Sequence, residues 1–195
     1  MHAIYLNTKT GGQGDSFAQF KNEFIEICAT HHKQARALAF AFILYDFEHP
    51  QIAKMLDDRH YWNALNKISG RYLTVFAFRL TKSSGSFDDS RAFIKEQFGV
   101  DLPEANPSIL FFQVADKRIS DSFMVEIEAE MFEPAFIEVK EVLLAVVQSV
   151  ENVQPEFRGN TTEIFDLIAG RLSQRRNFLR VKKLLTVGQA IREVL

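Results

Sequence analysis

Cysteine is almost absent. Cys28 is alone among 195 residues, so the chain can close no internal disulfide and can build no multi-cysteine zinc or iron–sulfur site. This fits a reducing compartment, and a cytoplasmic protein is the expectation. The five histidines, His2, His31, His32, His49 and His60, include no pair at the i, i+4 spacing that helical metal sites use, so neither a metal nor another cofactor is expected. Long apolar runs are missing as well. The most apolar windows, residues 35–45 and 139–150, fall short of the roughly 20 residues that span a bilayer, which argues against a membrane partner. Residues 1–7 show no basic region followed by a long apolar segment and do not read as a signal peptide. A net charge of -2 is too small to argue for a polyanionic partner from the total alone. There is no Gly-x-Ser-x-Gly elbow for an acyl-transfer serine. Gly11-Gly12-Gln13-Gly14 lacks the Gly-Lys-Ser/Thr end of a phosphate loop and has Phe17 where a dinucleotide fingerprint wants glycine or alanine, so it reads as a plain loop.

What is abundant is phenylalanine, with nineteen residues. That loading predicts either an aromatic core or an apolar surface that meets a partner. Residues 3–6 suit a short strand. Ser16 with Gln19 gives capping-box spacing, and Phe17, Phe20, Phe24, Ile27 and Cys28 follow at helical intervals, so residues 16–32 are predicted as an amphipathic helix. Its stripe reads as core, and Cys28 as a small buried apolar group. A strand is predicted within residues 35–47, centred on 40–44. Pro50 then opens a helix running to Ile68, with a break at Asp57-Asp58 and a stop at Gly70. Asp57-Asp58 and Asp88-Asp89 stand near helix starts, where carboxylates cap. Residues 72–78 form the next strand, and a helix carrying Phe93, Ile94 and Phe98 ends at Gly99. Pro107 opens a strand over 107–114, and Asp116-Lys117 turns the chain back. Residues 122–130 alternate, with Phe123, Val125, Ile127 and Ala129 against Met124, Glu126, Glu128 and Glu130, which predicts a half-exposed strand at the sheet edge. A helix opened by Pro134 and ended by Pro155 follows. Asn160 with Glu163 starts another, and Phe178, Val181, Leu185 and Ile191 repeat at helical spacing toward the end.

The predicted succession over residues 35–153 is strand, helix, strand, helix, strand, strand, helix. Right-handed crossovers make the early connections parallel, and the short turn makes the last pair antiparallel. With Phe98-Gly99-Val100 followed by Asn106-Pro107-Ser108-Ile109-Leu110-Phe111-Phe112, this α/β succession resembles the thioredoxin fold, in which a helix ends at glycine and a cis-proline leads into the third strand. The chain then divides into an N-terminal extension (1–34), a thioredoxin-like domain (35–154) and a C-terminal helical tail (155–195). The resemblance implies a cis bond at Pro107, against about 5–6% for an arbitrary X–Pro bond. Read without it, Pro107 simply starts a strand. In the family a Cys-x-x-Cys pair follows the second strand. On this alignment that stretch is residues 79–86, where Thr81, Ser83 and Ser84 offer hydroxyls and no thiol, so disulfide exchange is excluded chemically.

Three functions follow from these readings. The first is a redox-inactive module that binds a protein partner or forms a homo-oligomer, through the tail and a phenylalanine-rich surface. The second is a glutathione- or peptide-binding enzyme using Thr81, Ser83 or Ser84 beside a cis Pro107; a non-enzymatic role is expected to prevail. The third is nucleic-acid binding through Arg171, Arg175, Arg176, Arg180, Lys182 and Lys183, a run without an intervening acid. No nucleic-acid-binding signature accompanies that run, and a solvated face or an acidic protein surface, such as the acidic side of 124–130, would serve it as well.

Overall fold

The computed structural model describes residues 2–5, 24, 26, 28, 30, 38–46, 48–70, 72–79, 86–103, 106–115, 118–153, 161–175 and 178–181. Its elements are strands β1 (His2–Tyr5), β2 (Ala39–Tyr45), β3 (Leu73–Arg79), β4 (Ser108–Ala115), β5 (Arg118–Glu126) and β6 (Phe178–Val181). The helices are α1 (Pro50–Asp57), α2 (Arg59–Ser69), α3 (Ser86–Phe98), α4 (Phe132–Glu151) and α5 (Thr161–Leu172). Phe24, Glu26, Cys28 and Thr30 are also helical. The fold is mixed α/β, with one six-stranded sheet in the order β1-β3-β2-β4-β5-β6. β1, β3 and β2 run parallel, and β2-β4, β4-β5 and β5-β6 pair antiparallel.

Both faces of the sheet are covered, and the two-residue period of the strands divides the side chains between them. On one face Ala39, Ala41, Ile43, Val75, Ala77 and Phe111 pack with α1, α2, α4 and α5. On the other, Phe40, Phe42, Phe76, Phe78 and Phe112 pack with Phe24, Cys28 and the Phe93, Ile94 and Phe98 of α3. Small residues let four helices approach the first face, while rings fill the second. Phe42 is the hub, with ring centroids of Phe24, Phe76, Phe78, Phe98 and Phe112 all 5.1–5.8 Å away. Phenylalanines 24, 40, 42, 76, 78, 93, 98, 111, 112, 123 and 165 are all buried. The expected phenylalanine-rich interface is therefore corrected for these residues, because the sheet spends the rings on its own core.

The helix boundaries follow local chemistry. The predicted break falls at Asp58, whose Oδ1 accepts from the N–H groups of His60 (2.7 Å) and Tyr61 (3.4 Å) and so caps α2. Gly70 closes α2 at φ 58° and Gly99 follows α3 at φ 69°, conformations that favour glycine.

Four expectations are corrected. β5 is not a half-exposed edge: it ends at Glu126, Met124 is buried in the phenylalanine cluster, and β6 pairs along its outer side. Residues 178–181 form a strand rather than a helical turn, since an open antiparallel edge supplies their backbone with partners that a short helix lacks. The peptide bond before Pro107 is trans. Trans is the intrinsically favoured isomer, and Pro107 places its carbonyl to accept from Ile127 N–H at 2.8 Å in that form. Nor does α5 stand apart from the sheet, for Phe165 packs on Phe123 at 4.9 Å within the first core. Residues 11–14, and Phe17, Phe20, Ile27, Leu185 and Ile191, lie outside the described residues.

Candidate functional site

β2 lies at the centre of the sheet with its end beside the start of β4, Leu44 opposite Ser108. The segment that leaves β2 for α1 therefore faces Asn106-Pro107-Ser108. Asp46 governs that segment. Its Oδ1 accepts from the N–H of Glu48 at 2.8 Å, a turn that asparagine and aspartate side chains form readily, and lies 2.8 Å from Nδ1 of His49. The shorter contact makes Nδ1 the donor, so Asp46 N–H, 3.3 Å from the same nitrogen, cannot also donate to it. His49 in turn precedes Pro50, the first residue of α1, and its carbonyl accepts from Ile52 and Ala53 at 3.1 Å each. Both residues of the dyad are buried, with Asp46 8% and His49 7% exposed.

Asp46, His49, Arg91, Asn106 and Ser108 line a cavity of about 20 Å³. That volume holds one water molecule and no organic substrate. Asn106 donates through Nδ2 to Glu126 Oε2 at 3.0 Å, and Ser108 Oγ donates to the Asn106 carbonyl at 3.4 Å. Pro107 is buried, and its carbonyl is already bonded to Ile127 N–H within the chain. The geometry beside it thus differs from that of an exposed cis-proline ligand edge.

Thr81, Ser83 and Ser84 lie outside the described residues. Among the described residues the structure brings the Asp46–His49 segment opposite Pro107, a segment that sequence reasoning passed over because the histidines were weighed only for metal spacing. The available signal was His49-Pro50 at the boundary between an apolar run and a helical pattern, with Asp46 three residues back. Among the described residues no group of three or more histidine, cysteine, aspartate and glutamate side chains could hold a metal ion. Cys28 is fully buried, and loss of hydration pushes its thiol well above the ordinary range.

The basic stretch divides. Arg171 donates to Gln148 Oε1 at 2.9 Å, and Arg175 reaches Glu141 at 3.4 Å and Glu138 at 3.9 Å, so both lie along α4. Arg180 lies in β6, where only its backbone is described, and Arg176, Lys182 and Lys183 lie outside the described residues. The acids that receive Arg175 belong to α4 rather than to residues 124–130. Glu138 also accepts at Oε2 from the N–H groups of Glu128 and Ala129, both at 3.1 Å, and so fastens the β5–α4 connection.

A larger opening lies between the C-terminal part of α4 and α5. It is a groove of about 470 Å³ lined by Ser149, Asn152, Val153, Ile164, Leu167 and the charged Glu163 and Arg171. Leu167 stands on its rim, 52% exposed. No helix among the described residues is long and apolar enough to cross a membrane. Compared with protein-family models, with curated proteins and with solved structures, the chain matches none.

Proposed function

We propose that this chain is a thioredoxin-like protein without thiol chemistry that works by binding another protein. The strand order, with a parallel pair and an antiparallel pair meeting at β2, supports the resemblance drawn from the succession of elements. With β1 joined to the sheet at its edge, β2 is the second strand in the chain, and on that count the counterpart of a Cys-x-x-Cys pair is the start of α1 rather than residues 79–86. The stretch Asp46-Phe47-Glu48-His49-Pro50 holds no cysteine either. A carboxylate and an imidazole there can exchange a proton but cannot form a disulfide.

The observation that carries the binding role is the groove between α4 and α5, with a half-exposed leucine on its rim and charged residues on either side. Apolar surface rimmed by polar groups is what partner sites look like. The cavity at Asp46 and His49 is too small to admit an organic substrate. Affinity capture with the wild-type chain and with Leu167→Asp in parallel tests the proposal. A protein retained by the first and lost from the second is the expected result; capture that ignores the substitution would refute it. Turnover of insulin disulfides by the purified chain would refute the redox-inactive half.

A further inference from the structure

We infer that the occupant of this groove is a second copy of the chain, seated by antiparallel pairing of the two α5 helices about a two-fold axis. The inference rests on the binding role just proposed and names the partner for it.

Three features of one helix face carry it. Glu163, Leu167 and Arg171 are spaced four residues apart, so the leucine stands midway between charges of opposite sign, about 6 Å along the axis from each. Such a face is its own complement. When two copies run antiparallel through Leu167, Glu163 of each meets Arg171 of the other, as an isologous interface requires. A parallel arrangement would set like charge against like.

Gly170 is the second feature. It falls on the same face, within about 60° of Leu167 around the axis, and is exposed. A Cβ built on it would meet no atom within 4 Å, so nothing in the chain's own packing demands glycine at that point. Glycine is among the weakest helix formers. A site where a second helix crosses closely is a physical reason for it.

The groove itself is the third. Leu167 lines it together with Ile164 and Val153, and its volume accommodates a leucine side chain from the facing copy. Met131 and Ile137, the other large apolar side chains exposed among the described residues, do not line it. The hydrogen bond from Arg171 to Gln148 does not oppose the pairing. Guanidinium has five N–H donors and can serve Gln148 and a carboxylate together.

Sedimentation equilibrium on the purified full chain tests the inference. The wild type is expected to dimerise reversibly, and Leu167→Glu to weaken association by at least tenfold. Glu163→Arg and Arg171→Glu alone should each weaken it, since each sets like charges together. The double variant E163R/R171E should return to within about threefold of wild type, because the swapped charges are again complementary. All three positions are exposed, and circular dichroism checks that each variant keeps its fold. A wild type that stays monomeric up to millimolar concentration overturns the inference. So does a dimer indifferent to Leu167→Glu, or a double variant no better than the singles. A monomeric wild type that still captures a protein in a Leu167-dependent way would sink the self-pairing alone and leave the binding role standing.

Discussion

His49 Nδ1 donates to Asp46 Oδ1 across 2.8 Å, and the same oxygen accepts from Glu48 N–H, also at 2.8 Å. One buried carboxylate thereby holds two donors at the point where the central strand becomes α1. Asp46→Ala removes the acceptor for both and is expected to cost about 2–4 kcal/mol in urea denaturation. Asp46→Asn keeps an oxygen for Glu48 and should cost roughly half as much. A D46A stability within about 0.5 kcal/mol of wild type, the range of ordinary surface substitutions, would show that the dyad does not organise the turn.

Phe42 touches five other rings and is fully buried. Phe42→Ala is expected to destabilise the fold by about 3–5 kcal/mol, because it removes transfer energy and leaves a cavity that the surrounding rings cannot collapse to fill. Phe132 lies near the surface, only partly buried, and F132A should cost clearly less. Equal losses in a denaturant titration would mean that the aromatic cluster is loosely packed.

Much of this architecture could be read from local pattern, and the failures have physical causes. β2 showed as an unbroken apolar run because both its faces are covered, and Asp58 announced its cap by standing between two helical stripes. β5 misled because Glu128 and Glu130 extend its alternation beyond Glu126, where the strand ends. β6 misled because Phe178 and Val181 are three residues apart, a spacing that helix and strand both tolerate over four residues. The Asp46–His49 segment was missed for a different reason. β1 joins the sheet by pairing His2 with Phe76, a contact with no local signature, and leaving it out hid that β2 is the second strand, whose end lies beside the start of β4. A partner so far along the chain cannot be seen in any window of residues.

Cys28 lies at 0% exposure among Phe24, Phe93 and their neighbours, and burial raises its pKa because the thiolate has nothing there to solvate it. The native protein should leave an aromatic disulfide reagent unreacted at pH 8 on a timescale of minutes, and should release one equivalent of thiol per chain when denatured. The raised pKa keeps the thiol protonated in the folded state, so raising the pH to 9 should speed the native reaction far less than it speeds that of the unfolded chain. Prompt native labelling would place the thiol outside the core.

Two helix-associated glycines should answer the same substitution with opposite signs. Gly70, at the end of α2, has φ 58° and ψ -141°, a backbone conformation that side-chain-bearing residues scarcely adopt. A Cβ there would lie 3.5 Å from the Ile68 carbonyl oxygen, an ordinary contact, so the cost of Gly70→Ala is backbone strain and not collision. It should be about 1–3 kcal/mol. Gly170 sits inside α5 with open space around the position of a Cβ. Gly170→Ala adds no clash, reduces the freedom of the unfolded chain and should stabilise by roughly 0.4–1 kcal/mol. For a chain of this size each kcal/mol moves the melting temperature by about 2–4 °C, so scans at micromolar protein should separate the two variants on either side of wild type. If Gly170→Ala also lowered the melting temperature at a dilution where the chain is monomeric, α5 would not be a regular exposed helix.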